Sequence, residues 1–495
     1  MNSIEEEKQA PINDQQIPDS NEINEIYMDN QSEELSEQNI VEENEGEDDN
    51  LSEDPEELLQ DLEWEEIEGE EIEGEWNPQS WLPSYTLVPG PSQQFPREVN
   101  QIKEIFLLLF DNEILDMLVT QTNRYAEDFF NRFPERKQGQ YYKEWENCTI
   151  IKLKAYLGIL IHTGLSQFPK MVDHWENSVH YSCPFCPNVM TKNQFLLIHK
   201  FFHIVDNSRV NTDDRLHKIR PLLDLLTSKF QRFYVLNREL TINERMVKYT
   251  GRLSFRQYIP NKPTKLGIKV FLIADSITGY VWNWYVYSGA VVGRRANGVH
   301  NLIVDLTQDL HNRGHRLYYD SFFIFVPTVR YLATKGIASA GMLRKNRRLI
   351  PDDVKQAPDT LQRGETHFMR VNSLLCFVYR DKRDIRFLTN CHGNQIGENG
   401  RPEALINYNI FARGVDKANQ SNSFYHFSHR SLKWYKTLFI SLLETAISNA
   451  YCLYMFQNPN SSLKSLKFRE RLASSLYQDY ITERNQQSLT RANKR

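Results

Sequence analysis

A chain of 495 residues with 40 % hydrophobic and 12 % aromatic content can bury a large core, in two or three folded units. Its formal charge of −7 conceals two opposed parts: residues 1–75 hold 30 of the 65 acidic side chains and a single lysine, Lys8, leaving 57 basic against 35 acidic side chains, a net of +22, for residues 76–495. Six scattered cysteines exclude a disulfide scaffold, the acidic start lacks the apolar stretch of a secretory signal, and no run of about 18 apolar residues suggests a membrane span.

Residues 1–78, rich in Glu, Asn, Gln and Ser, cannot bury enough surface to offset chain entropy and are expected to be disordered. Within them EIEGE recurs in tandem at 66–70 and 71–75, between Trp64 and Trp76, which is either compositional drift or a motif for a protein partner. Such an acidic tail also suits shielding of a basic body from non-cognate DNA. From about 97, apolar residues recur at three- and four-residue spacing through IKEIFLLLFDNEILDML, IIKLKAYLGILIHTGL, NQFLLIHKFFH and LLDLLTSKFQRF, so 79–237 reads as a helical domain. Strands begin near 238: LTINERMVKYTG, KLGIKVFLIAD and GYVWNWYVYSG, the last two joined by a turn at Asp275–Gly279. A helix (300–314), the strand HRLYYDSFF, a helix (326–336) and the strand IASAGMLR follow, giving an α/β core over 238–350. Short strands with turns form a β-rich insertion at 351–407. Helix returns over 408–456, and 457–495 reads as a basic tail.

Asn243 lies inside the first strand, Asp320 ends the strand RLYY, and Asp416 opens the last helical region with Asn419 three residues on. Hard cations such as Mg²⁺ take oxygen ligands from a few carboxylates, and two of them can clamp the oxygens of a phosphoryl transfer. By spacing alone an aspartate at a strand end is more often a turn residue.

The runs INERMVKYTGRLSFRQYIPNKPTKLGIKVFLIADSITGY, YYDSFF with VRYLATKGIASAGMLRKNRRLIP, and GVDKANQ with HRSLKWYKTLF resemble the core of piggyBac-type transposases, a resemblance covering about residues 97–456. It implies an RNase H-like catalytic core carrying an insertion, behind a helical dimerisation and DNA-binding domain, hence a homodimer. It further implies Mg²⁺-dependent cutting of element ends through DNA hairpins and joining at TTAA, with DNA as partner, no membrane, and a nuclear location. The family's second and third catalytic aspartates fall on Asp320 and Asp416. The first falls on Asn243, and a further aspartate falls on Asn419; Asp320–Ser321–Phe322 also departs from the usual Asp–Asn–aromatic. An amide at 243 loses a unit charge and turns an NH₂ toward any cation. Glu244 points to the opposite strand face, and Glu239 lies roughly 13 Å away along the strand. A metal site too weak for cleavage is the expected result. An active transposase tolerating Asn243 and a non-catalytic interaction scaffold are the alternatives.

Charge marks two DNA-contact candidates: Arg344, Lys345, Arg347 and Arg348 after a core strand, and Arg430, Lys433 and Lys436 around Trp434. The basic run 251–265 is a third stretch, read as a hairpin turn. Cys183-x2-Cys186-x12-His199-x3-His203 has C₂H₂ zinc-finger spacing. The histidine half matches a helix of the resembled family, however, so two cysteines near a helix start without zinc are expected. After Cys452 the chain has no Cys or His, unlike the family's zinc-binding tail.

Overall fold

The computed structural model describes residues 41–42, 62–67, 81–178, 180–209, 213–260, 262–289, 298–427 and 431–492. Most of the acidic segment, including Trp76 and the second EIEGE, and Arg430 lie outside the described residues.

The helical part opens with α1 (Ile102–Leu109), α2 (Asn112–Arg132), α3 (Ile150–Leu165), α4 (Lys192–Phe201) and α5 (Arg220–Phe233). Local chemistry fixes their starts: Asp111, Thr149 and Thr191 accept the backbone N–H of Ile114, Lys152 and Gln194 at 3.2–3.3 Å, each satisfying an orphan donor of a first turn.

Five strands follow: β1 (Glu239–Lys248), β2 (Leu266–Asp275), β3 (Val281–Val286), β4 (Arg316–Tyr319) and β5 (Ala338–Met342). β2 pairs antiparallel with β1 and β3, β4 pairs parallel with β1, and β5 parallel with β4, giving the order β3-β2-β1-β4-β5. β2 is almost continuously apolar because both its faces are covered. The β2–β3 turn is held by Asp275 Oδ1, which accepts from Ile277 and Thr278 N–H at 2.9 Å, and by Gly279 at φ +74°. Helices α6 (Val299–Thr307) and α7 (Val326–Thr334) supply the crossovers that parallel pairing requires.

The insertion is continuous with this sheet. β6 (Thr366–Val371), β7 (Leu374–Arg380) and β8 (Asp384–Thr389) form an antiparallel meander, and β8 pairs with the edge of β5. Glu65–Ile67 then adds antiparallel to β6. Trp64 Nε1 donates to the Leu349 carbonyl at 3.1 Å, and Glu66 lies 3.0 Å from His367. This stretch departs from the disorder expected across 1–78: its two apolar residues and an unfilled strand edge outweigh the surrounding charge.

The chain closes with α8 (Glu403–Phe411), α9 (Gly414–Phe424), α10 (Trp434–Gln457) and α11 (Ser465–Ala492). The basic tail is thus a helix. Phe468, Leu472, Leu476 and Tyr480 recur every fourth residue and are buried, and a Cβ on Gly158 of α3 would come within 2.8 Å of the Ala473 carbonyl, so α3 and α11 approach backbone to backbone. One apolar cluster runs from Phe95 through the sheet to Tyr480, so the first five helices and the last two share a core. Among the described residues one helix, α10, is long and apolar enough to cross a membrane; most of it is buried inside the molecule.

Candidate active site and nucleic-acid interface

The pairing of β1 with β4 runs to Ile242 opposite Tyr319, so Asn243 and Asp320 are the next residues along the two strands. Strand alternation puts Asn243 on the face of Thr241, whose hydroxyl donates to the Phe411 carbonyl at 2.8 Å and accepts from Gly414 N–H at 3.3 Å. Glycine is required at 414, where a Cβ would meet the Asp275 carbonyl at 2.7 Å. α9 therefore starts hard against β1 and β2, with Asp416 in its first turn. In this way two strands and a helix bring Asn243, Asp320 and Asp416 to one end of the sheet.

The electrostatics there are those of an undercompensated negative site. Burial raises the Asp320 carboxyl above its ordinary range, and the Glu244 charge raises it further, against the Phe322 N–H at 2.9 Å and the cations Lys262 and Arg344. Burial also raises Asp416; Lys262 opposes the shift and Glu244 adds to it. The Tyr408 hydroxyl is raised by burial and by both aspartates. Asn243 Oδ1 accepts the N–H of Glu244 at 2.8 Å, so its carboxamide oxygen is engaged locally.

Glu244 was a residue that strand alternation set aside. Its side chain is only 9 % exposed, one oxygen pairs with Lys262, and Oε2 is buried with no hydrogen-bond partner among the described residues. Pointing to the other face does not take its charge out of reach of Asp320 and Asp416. Lys262, in the basic run read as a mere turn, is the counter-ion common to the three carboxylates. Asn419 serves a different purpose: it accepts from Arg245 Nε at 2.7 Å and donates to the Glu244 carbonyl at 3.3 Å, tying α9 to β1. Buried Arg245 continues to Thr445 of α10, and desolvation holds its guanidinium down at about 10.

The two basic clusters divide. Arg344, Lys345 and Arg348 are exposed beside the site. Arg347 is buried: its Nη2 donates to the Ser321 and Phe322 carbonyls at 2.8 and 3.0 Å, and its guanidinium lies 3.8 Å from the Phe325 ring centroid. It braces the turn that carries Asp320, which corrects its reading as a surface DNA contact. Trp434 is likewise buried, edge-on to Phe255. Buried Lys436 donates to the carbonyls of His199 and Lys200, capping the C-terminal turn of α4, and burial lowers its pKa well below the usual lysine range. The physical reason for both is that α10 begins at Trp434, with Trp434, Tyr435 and Lys436 all buried. Lys433 is half-buried, with its ammonium over the Tyr125 ring.

The zinc-finger spacing does not close. His199 Nδ1 meets the Tyr156 hydroxyl at 2.9 Å, and His203 is held by the Phe201 carbonyl and the Tyr435 hydroxyl while stacking on Tyr125. Cys183 and Cys186 instead face His162 of α3, whose Nε2 is 3.3 Å from Cys183 Sγ. No local pattern marks His162; only the packing of α3 against the loop reveals it.

A family profile described as Transposase IS4 matches residues 103–451. The human PiggyBac transposable element-derived protein 2 is 24 % identical over 401 residues, 74 % of this chain and 64 % of that protein. The human PiggyBac transposable element-derived protein 3 is 23 % identical over 420 residues, 78 % of this chain and 66 % of that protein. The chain thus spans just under two thirds of the length of these relatives. A cryo-EM structure of a piggyBac transposase synaptic complex with hairpin DNA superposes with a TM-score of 0.74 at 24 % identity, over 80 % of this chain and 84 % of that one, and shares its mixed α/β fold. The match over most of the chain, together with these relatives, establishes that this protein belongs to the piggyBac transposase family.

Proposed function

We propose that this chain is a transposase-derived DNA-binding protein on an RNase H-like core, whose ancestral reaction is metal-dependent DNA cleavage and strand transfer at TTAA and whose cleavage step is impaired. The strand order β3-β2-β1-β4-β5 with two crossover helices supports the core assignment. The net positive charge of residues 76–495, the exposed Arg344, Lys345 and Arg348 beside the site, and the DNA in the related synaptic complex support DNA binding. The observation that carries the impairment is Asn243: it occupies the sheet position beside Asp320, and its amide oxygen is engaged with the next backbone N–H.

A divalent cation such as Mg²⁺ would supply Lewis-acid stabilisation of phosphate oxygens at such a site. Asp320 and Asp416, both raised by burial and by the Glu244 charge, fit one hard cation, which would relieve that repulsion. An amide at 243 does not fit the pair of ions that in-line displacement calls for. Arg347 and Asn419 hold the aspartate turn and α9 in place whether or not an ion is bound.

One observation favours a second reading, an active transposase. The Glu244 carboxylate is near enough to raise both Asp320 and Asp416, so a third negative charge stands beside the pair. Nicking of supercoiled plasmid in Mg²⁺ and Mn²⁺ decides between them. The impaired reading expects no nicking by the natural chain and nicking by Asn243→Asp. Nicking by the natural chain, abolished by Asp320→Ala and by Glu244→Gln, would establish the active one. We further place the working protein in the nucleus as a homodimer; sedimentation of the full chain with and without DNA, and imaging of the tagged chain, test those assignments.

A further inference from the structure

The helical part contains a second cluster of ligating side chains, separate from the carboxylates. We propose that His162, Cys183 and Cys186 bind one zinc ion, with the fourth coordination position open to solvent or an external donor.

The ligand atoms of these residues all lie within 4.8 Å of one another, and they form the one Cys/His/Asp/Glu group of this kind among the described residues. His162 Nε2 is 3.3 Å from Cys183 Sγ. Around a tetrahedral zinc, with Zn–N near 2.0 Å and Zn–S near 2.3 Å, neighbouring nitrogen and sulfur ligands sit about 3.5 Å apart. Closing this site therefore asks for shifts of only tenths of an ångström at that edge. Both cysteines are buried, and among the described residues all six cysteines are free thiols. Sulfur with imidazole is a donor set for zinc rather than for the hard cations suited to Asp320 and Asp416.

The surroundings hold the donors in place. Phe185 stacks on the His162 ring at 4.1 Å and 10°, and Tyr477 of α11 meets Phe185 edge-on at 4.9 Å. Arg484 of α11 donates to the Asn188 and Val189 carbonyls at 2.8 and 3.1 Å, anchoring the turn that carries Cys186. Nearby His174 is spent: its two nitrogens lie 3.0 and 2.7 Å from the carbonyls of Met171 and Ser166. The protein thus presents three donors. A bound ion would staple the last turn of α3 to the Cys183–Val189 segment, joining parts of the chain that are otherwise held by ring stacking.

The full-length chain, purified without chelator, is measured by elemental analysis and native mass spectrometry. The expected content is about one zinc per chain. It is lost in His162→Gln and in Cys183→Ser, retained in His199→Gln, and the Co²⁺-loaded protein shows thiolate-to-metal charge-transfer absorption that Cys183→Ser abolishes. His162→Gln keeps both thiols and tests the site even where a cysteine variant fails to fold. Zinc-free protein, zinc content indifferent to His162, dependence on His199, or a Cys183–Cys186 disulfide found by alkylation of the native chain would each overturn the proposal.

Discussion

Asn243→Asp tests whether the missing charge at position 243 governs metal binding at the site. Asp320 and Asp416 already have carboxyls raised by burial and by Glu244, so a third carboxylate on the same face meets like charges. At an effective dielectric of about 20, two unit charges about 4 Å apart repel by about 4 kcal/mol, and by less as they separate. Protonation of the already raised aspartates relieves part of that, leaving a destabilisation on the order of 1–2 kcal/mol in metal-free buffer. For a cooperative unit of this size that lowers Tm by roughly 1–3 °C. A cation held by three carboxylates reverses the sign: at 100 times its Kd it returns about 2.7 kcal/mol. Thermal melts with chelator and with Mg²⁺ should therefore cross, the variant below the natural chain without metal and level with or above it in metal. Plasmid nicking should appear only in the variant with metal. A natural chain stabilised by Mg²⁺ as strongly as Asn243→Asp would refute the reasoning, because the amide would then be no obstacle to binding.

Three further expectations follow from side chains the structure relocates. Asp320→Asn removes a carboxylate whose folded pKa is raised above 3.8; the stability its neutral form allows is present below the unfolded pKa and lost as pH rises through the folded value, so the variant gains stability over the natural chain at pH 7 and little at pH 3, read by denaturant titration at the two pH values. Equal gains at both pH values would show that charge is not the cause. Arg347→Ala, which frees two carbonyls beneath Asp320, should cost about 2–3 kcal/mol, whereas Arg348→Ala at the surface should leave stability within about 0.5 kcal/mol and reduce the salt slope of DNA binding by about one. The reverse assignment in paired melts and salt titrations would restore Arg347 as a phosphate contact. Lys436→Ala should cost about 2–4 kcal/mol by uncapping α4 and leave the salt slope unchanged; a stable variant with weakened DNA binding would contradict its buried position.

The sheet was legible because its strands advertise themselves. β2 is an apolar run, Asp275–Gly279 is a turn with a mechanism, and the alternation of strand and helix from 238 to 344 leaves few topologies once crossovers must be right-handed. Periodicity placed α1 to α5 for the same reason. α11 carried an equally clear four-residue pattern in Phe468, Leu472, Leu476 and Tyr480, but its charge invited reading as a tail, and its apolar stripe makes sense only against the groove that Gly158 opens on α3. Glu65–Ile67 was invisible for another reason: a three-residue strand is specified by the edge it fills, here β6, more than by its own composition.

Charge proved the least transferable signal, because a basic residue in sequence does not say whether its partner is a phosphate or a carbonyl. Arg344, Lys345, Arg347 and Arg348 read as one patch, yet the third turns inward to two carbonyls and a ring while the others face solvent. The same ambiguity covered the acidic side. Alternation along β1 separates Asn243 from Glu244 by face, but the Glu244 charge still raises both Asp320 and Asp416. Lys262 reconciles the two: as a counter-ion to Glu244 it offsets part of the repulsion that Glu244 exerts on Asp320 and Asp416. Asp320 and Asp416 are thus partly neutralised by a cation of the protein itself, a share of the work that a metal ion would otherwise do.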